Sequence, residues 1–396
     1  MPTFDWIVVG NGLTGAALSY ELARQGFSVL LLERSVSPAG ATRYSYAGVP
    51  YWSGSSALLR QLYRESRTRY AMLADETGIA PQYRELDLLL TVEPDQDPHK
   101  LAQRYAVVET PPVPITPAEA AEREPQLNSA AIAGALVVRH GHVDPTALVK
   151  AYNHGLQNLG GQIIIAPVTR LVRMGERLTG VTTPTQAYAA GNVAVAAGGL
   201  TRELIKTADI HVPVYFSHAE LVETPPLDWE LRSLIMPADL TRSAIESEAT
   251  NDNTYTLWDE PGHEIRPPFL DSGCVQFLDK RLRMGQISRI NTTLEPTLDA
   301  TKGEKLIRAG ITPLVPALDQ VPGQWHACRV AFSQDGLPLA GPVPGLTGGY
   351  VFSGFTGPFG LVHDLSLHFD QLASGKTSDV LQATRPDRFS DSRAPT

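Results

Sequence analysis

The chain has 396 residues, 43% of them hydrophobic and 19% charged, with a formal net charge of −9 and two cysteines. That length can bury a large core and hold two domains. The acidic balance without a Lys/Arg-rich run argues against a nucleic-acid partner or an anionic membrane surface, Cys274 and Cys328 cannot build a disulfide framework, and no apolar run approaches the ~20 residues of a membrane span.

The chain opens with MPTFDWIVVG, which enters a strand without a preceding basic segment. No signal peptide is therefore expected, and the expected location is cytoplasmic. Phe4 to Val9 is a short apolar run suited to a buried parallel strand. Gly10, Gly12 and Gly15 follow in G-x-G-x-x-G spacing. Ala16 to Gln25 has helical periodicity, Gly26 stops it, and Ser28 to Leu32 is a second buried strand ending at Glu33. In this pattern the first glycine permits a tight turn, the second lets the backbone approach a pyrophosphate, and the third lets helix pack on strand. The helix N-terminus supplies N–H donors and partial positive charge. Glu33 is placed to accept hydrogen bonds from a ribose, and its free carboxylate disfavours a 2′-phosphate. Strand, turn, helix, strand and acid in order indicate dinucleotide binding. The motif alone does not separate FAD from NAD.

A long Gly/Pro/Ser/Tyr-rich loop follows Glu33, and its length suggests function. Ser55 to Glu76 reads as an amphipathic helix with Leu58, Leu59, Leu62, Tyr63 and Met72 on its apolar side. Pro111 to Pro114 reads as a linker, and TPAEAAEREPQL as a short helix capped by Thr116. Asp144 and Pro145 open another helix as N-cap and first helical residue. QIIIAPVTRLVRMGERLTGVTT reads as strands joined by a turn, and NVAVAAGG as a buried strand ending in glycines. From Val212 to Gln320 strand-like runs and turns dominate, with few long helical patterns. The end of the chain returns to a glycine-rich turn, SGFTGPFGL, and a helix, VHDLSLHFDQLASG.

These pieces in this order resemble the D-amino-acid oxidase superfamily of FAD enzymes, which includes glycine oxidase and monomeric sarcosine oxidase. The matching stretches are VVGNGLTGAALSYELARQGFSVLLLE, GHVDPTALVKA, AAGG, and QDGLPLAG followed by SGFTGPFGL. The resemblance implies an α/β fold, α+β overall: a Rossmann-like FAD-binding domain interleaved with a substrate domain built on a mixed or antiparallel sheet. The expected division is 1–80, 140–211 and 325–396 for FAD, and 81–139 and 212–324 for substrate. It further implies oxidation of the C–N bond of an amine or amino acid, by hydride transfer to flavin N5 and hydrolysis of the imine, with O2 or a quinone as electron acceptor. The expected FAD contacts are Gly10, Gly12, Leu13, Thr14, Gly15, Glu33, Arg34, Ala41, Thr42, Arg43, Val168, Ala197, Gly198, Gly199, Cys328, Gly354, Phe355, Thr356, Gly357, Pro358, Phe359 and Gly360.

Three local matches resemble the sarcosine-oxidase branch. GATR, Gly40 to Arg43, looks like its loop beside the isoalloxazine. LRMG places Arg283 where that branch has a lysine that activates oxygen. CRVAFSQDG places Cys328 where a cysteine bonds to the flavin 8α-methyl, so Cys328 is read either as a covalent tether or as a small buried hydrophobe. The branch's second arginine is replaced by Tyr46, and its later lysine by Leu361. The carboxylate-binding arginine of glycine oxidase falls at Val330, one residue from Arg329, and a one-residue slip in a strand turns a side chain to the other face. The candidate catalytic residues are Arg283, Tyr46, Arg329 and Tyr51. Tyr46, Tyr51 and Trp52 are read as an aromatic wall or as interdomain packing, and Tyr255 and Trp258 as a lid or second wall. Cys274 is read as core or loop filler. His140 and His142 have no evident third metal ligand, and solvated loop histidines are expected. Two other readings stay open: an NAD-dependent dehydrogenase and a non-catalytic flavin-binding subunit. Substrate identity, stereochemistry and oligomeric state are not written in the sequence.

Overall fold

A computed structural model describes residues 3–36, 40–239, 241–251 and 254–392. The strand Thr3–Val9 lies between two parallel partners, Val29–Glu33 and Ala187–Val195. Parallel pairing continues outward to Gln162–Ile165 on one side and Gly349–Ser353 on the other. Leu339–Pro342 closes one edge as an antiparallel strand, and a hairpin of Arg170–Met174 with Arg177–Thr182 adds on through Ala187–Val195. Alternation along the central strand feeds two separate cores. Trp6 and Val8 pack with the helices Leu13–Arg24, Pro145–Asn158 and Pro358–Ala373, while Ile7 and Val9 join a cluster containing Leu204, Ile205 and Val214 on the opposite face. Burial on both faces explains why these strands read as continuous apolar runs.

The second sheet has nine strands. Its order runs Gln324–Ser333, Val214–Glu223, Leu282–Asn291, Glu264–Gln276, Leu234–Pro237, Arg84–Val92, Gly134–His142 and Gly48–Val49, with Val113–Ile115 paired on Gly134–His142. Among the described residues of this sheet, only Leu234–Pro237 with Arg84–Val92 is a parallel pair. One face is covered by the helix Ala300–Ile311, whose Ile307 and Ile311 pack with Met284 and Leu282. The other face turns toward the first sheet.

Several sequence expectations change. The stretch read as a linker, Pro111 to Pro114, overlaps Val113–Ile115, which pairs as a strand. The Ala300–Ile311 helix lies in the region expected to have few long helical patterns. Its Gly303 and Gly310 look like breakers, yet a Cβ at either would come within 2.2 to 2.4 Å of Glu220 or Ser272. They are helix glycines because the helix presses on the sheet. Met72 is half exposed rather than packed. His140 and His142 are buried on a strand rather than in a solvated loop. Tyr255 and Trp258 lie in a short 3₁₀ helix, Tyr255–Asp259, with Trp258 in a core beside Phe216, Tyr215 and Phe332, and neither is among the residues that line the cleft between the two sheets. The strand carrying Cys328 and Arg329 is hydrogen-bonded along its whole length into the second sheet.

Candidate active site

A cleft of about 1470 Å³ runs between the two sheets. Its first end is built from backbone. Gly10 has φ +105°, in the left-handed region that favours glycine. A Cβ on Gly15 would stand 1.8 Å from the Gly10 carbonyl oxygen, so that glycine is required for the helix to sit on the turn. The helix Leu13–Arg24 starts without a capping side chain or a first-turn acid. Its first N–H, on Leu13, donates to Thr42 Oγ1 at 3.0 Å. Glu33 ends the neighbouring strand, and its carboxylate accepts from the Asn11 and Ser35 amides at 2.7 and 3.0 Å. Asn11 Oδ1 is buried and has no hydrogen-bond partner among the described residues. A helix N-terminus, bare backbone and a carboxylate at the adjacent strand end suit a diphosphate with its ribose.

Twenty of the expected FAD residues line this one cleft: Gly10, Gly12, Leu13, Thr14, Glu33, Arg34, Ala41, Thr42, Arg43, Val168, Ala197, Gly198, Gly199, Cys328, Gly354, Phe355, Thr356, Gly357, Pro358 and Phe359. Gly15 lies behind the turn, and Gly360 is packed on the Tyr63 ring. Residues from four distant parts of the chain thus meet along one wall.

Arg43 spans the two sheets. It donates to both carboxylate oxygens of Glu223, at 3.0 and 2.9 Å. The same carboxylate accepts from Arg283 at 2.8 Å and Arg281 at 3.1 Å. Burial disfavours its charge, yet the Arg43 and Arg283 guanidiniums hold Glu223 down at about 2. The Arg283 side chain is fully buried, donates to the Ser45 carbonyl, and lies over the Phe277 ring at 4.4 Å. It does not line the cleft.

The far end of the cleft is walled by the second sheet. Tyr46 lines it and donates to the Gly273 carbonyl at 2.9 Å. Burial and the charge of Asp271 hold its phenol well above the ordinary value. Trp52 donates to His140 Nδ1 at 2.9 Å, and both line the cleft. Burial holds His140 down at about 3, so the ring is neutral. Tyr51 stands outside the cleft under the Arg67 guanidinium. Arg329 reaches the cleft wall, but its Nη1 is spent on the Leu294 carbonyl and Glu295, each at 2.6 Å. Burial pushes the Cys328 thiol up to about 12, against the pull of Arg242, Arg283 and Arg329. Cys274 is wholly buried.

Two charged residues at this end were not foreseen. Arg242 sits on the helix Thr241–Glu248, where its Nε donates to Glu246 at 3.1 Å. Its terminal nitrogens make no hydrogen bond among the described residues, and it lines the cleft. Asp271 lies on Glu264–Gln276 and lines the same end. Leu88, Leu90, Leu234 and Met236 form the apolar floor beside them. An isolated arginine in a short polar helix and an aspartate in an irregular strand carry no motif that a sequence reading could seize.

Among the described residues no group of three or more potential metal ligands occurs, and no helix is long and apolar enough to cross a membrane. Residues 5–361 match the profile of the family described as FAD dependent oxidoreductase. The chain is 25% identical over 370 residues to the mitochondrial dimethylglycine dehydrogenase of Mus musculus, covering 91% of this chain and 41% of that protein. It therefore spans about two fifths of the length of that relative. It is 24% identical over 365 residues to the glycine oxidase of Geobacillus kaustophilus, covering 89% and 87%. The crystal structure of glycine oxidase from Geobacillus kaustophilus superposes with a TM-score of 0.80 at 22% identity, over 98% of this chain and 99% of the other.

Proposed function

The chain belongs to the FAD dependent oxidoreductase family, and from that premise we propose that it oxidises the C–N bond of an amino acid. The observation that carries this reading is the cleft itself. One continuous channel joins a diphosphate cradle to a wall where Arg242 presents terminal guanidinium N–H groups that make no hydrogen bond among the described residues, above an apolar floor. The names of the relatives point the same way, since dimethylglycine dehydrogenase and glycine oxidase both act on small amino acids.

Bound FAD supplies the hydride acceptor. The chain's own residues do the rest. The helix starting at Leu13 and the turn before it hold the diphosphate, and Glu33 exchanges its amide partners for ribose hydroxyls. Arg242 takes the substrate carboxylate as a planar fork. Leu88, Leu90 and Met236 exclude water around the reacting carbon, which strengthens each polar contact there. Tyr46, tied to the Gly273 carbonyl, stays neutral and forms one side of the pocket. Arg283 acts at one remove: it fixes Glu223, which fixes Arg43 at the cleft wall. The first sheet and the helices around it form the FAD-binding domain, and the second sheet the substrate domain. Reoxidation is by O2 or by a quinone. Two unpaired cysteines suit the reducing cytoplasm.

The test is turnover of glycine, sarcosine and N,N-dimethylglycine by the FAD-loaded protein, read as peroxide in air and as dye reduction without it. Oxidation of at least one, with an aldehyde or keto acid as product, is expected. A flavin-loaded protein that oxidises none of them, by either readout, overturns the proposal.

A further inference from the structure

We infer that Asp271 is the residue that takes the proton from the substrate's ammonium group before its carbon is oxidised. The inference rests on the amino-acid reading given above and goes beyond it, because it assigns a proton acceptor.

Strand geometry aims the side chain. Ser272 faces the covering helix, against Gly310. Its neighbour Asp271 points the other way and lines the cleft. The aspartate is 92% buried by surface, its residue being 8% exposed. Among the described residues its carboxylate accepts no hydrogen bond and makes no ion pair. The other acids nearby are committed. Asp239 accepts from Thr241 N and Oγ1 at 2.9 and 2.6 Å, and Glu246 holds Arg242. Asp271 is therefore the carboxylate at this end of the cleft with its lone pairs unspent. A buried carboxylate normally finds a partner, and an ammonium group delivered by Arg242's hold on the carboxylate would be one.

The charges around it tune the exchange. Burial raises Asp271 to about 6; Arg242 opposes the rise, while Asp239 and Glu246 add to it. Tyr46, the remaining titratable group that senses it, stays neutral. Such a carboxylate is ionised at neutral pH but is a stronger base than a free one. In the step, the N–H bond of the ammonium breaks and its electron pair stays on nitrogen as the lone pair. The proton bonds to an Asp271 oxygen and later leaves to water through the cleft. The C–H bond would then break with both its electrons leaving as hydride to the acceptor that bound FAD supplies, while the nitrogen lone pair forms the C=N bond of the iminium.

The experiment is anaerobic stopped-flow reduction of the FAD-loaded enzyme by sarcosine between pH 5 and 10, for wild type, Asp271→Asn and Asp271→Glu. Wild type should lose its rate constant for reduction at limiting low substrate only as pH falls below about 6. Asp271→Asn must wait for pre-deprotonated amine, which like the alkylamine of lysine ionises at ~10, so it should be slower by roughly 10² to 10³-fold at pH 7 and approach wild type at about pH 10. Asp271→Glu should restore much of the neutral rate. Infrared difference spectra on adding sarcosine should show a carboxylic-acid C=O band in wild type and none in Asp271→Asn. A deficit in Asp271→Asn that is equal at every pH, or no deficit, overturns the assignment. If Asp271→Asn fails to hold FAD, the infrared band and the Asp271→Glu profile decide. A wild-type flavin that sarcosine, glycine and dimethylglycine all fail to reduce takes down the amino-acid reading, and this inference with it.

Discussion

Glu223 accepts both arms of the Arg43 guanidinium, at 2.9 and 3.0 Å, while holding the fully buried Arg283 at 2.8 Å. One carboxylate thus ties the loop after the nucleotide-binding unit to two strands of the second sheet. Removing one partner from such a set leaves buried charge uncompensated. Glu223→Gln should destabilise the protein by about 3–5 kcal/mol, read by urea unfolding at pH 7. A loss under 1 kcal/mol would mean that Arg283 finds other acceptors.

The same group predicts a pH effect. Glu223 is lowered from 4.5 to about 2 in the fold. Its contribution is complete above the unfolded pKa and disappears as pH falls from about 4.5 toward 2. The lost stability is at most ~3 kcal/mol, reduced by solvent screening around this partly exposed carboxylate. Acid unfolding of wild type should show this slope, and Glu223→Gln should show less of it.

Asp364 predicts the opposite sign. It is buried on the Pro358–Ala373 helix, its Oδ2 has no hydrogen-bond partner among the described residues, and burial with help from Glu65 raises it from 3.8 to about 8. The folded state binds its proton more tightly than the unfolded chain, so stability falls as pH rises from about 4 to about 8. Asp364→Asn should remove that fall and leave the protein more stable than wild type at pH 8.5, by several kcal/mol on the order of the shift. Equal melting curves for the two proteins at pH 6 and 8.5 would refute it.

Cys328 should not carry the flavin covalently. A thiol held near 12 has almost no thiolate at neutral pH, and the thiolate is the nucleophile. Acid precipitation should leave the yellow colour in the supernatant, and Cys328→Ala should keep its flavin. Colour in the pellet that Cys328→Ala loses would establish the tether instead.

Gly15→Ala should abolish flavin retention. Its Cβ would meet the Gly10 carbonyl at 1.8 Å, a backbone contact that no rotamer relieves. A purified Gly15→Ala protein with full flavin occupancy would show that the turn can open.

The phosphate cradle was legible because Gly10, Gly12, Gly15 and Glu33 are close in sequence and each answers one steric or polar need. Their expected partners near Ala197 and Gly354 followed from the family resemblance, and all of these except Gly15 and Gly360 lie in or on the cleft wall. The far end was not legible. Arg242 and Asp271 meet across a helix and a strand that are distant in sequence, and no spacing rule links them. Arg283 drew attention because it stands where the sarcosine-oxidase branch has a lysine, but only the fold reveals that its guanidinium is fixed by Glu223 and Ser45. Arg329 was weighed as a clamp, whereas Leu294 and Glu295 hold its Nη1. In the Ala300–Ile311 helix, Gly303 and Gly310 carry poor helix propensity, and close packing on Glu220 and Ser272 outweighs it.

The measurement that tests the account most directly is anaerobic addition of sarcosine, glycine and N,N-dimethylglycine to the purified, FAD-reconstituted protein while its visible spectrum is recorded. The account predicts an oxidised flavin spectrum that at least one of the three bleaches to the reduced form. A protein that binds no flavin, or a bound flavin that dithionite reduces and all three amino acids leave oxidised, would contradict it.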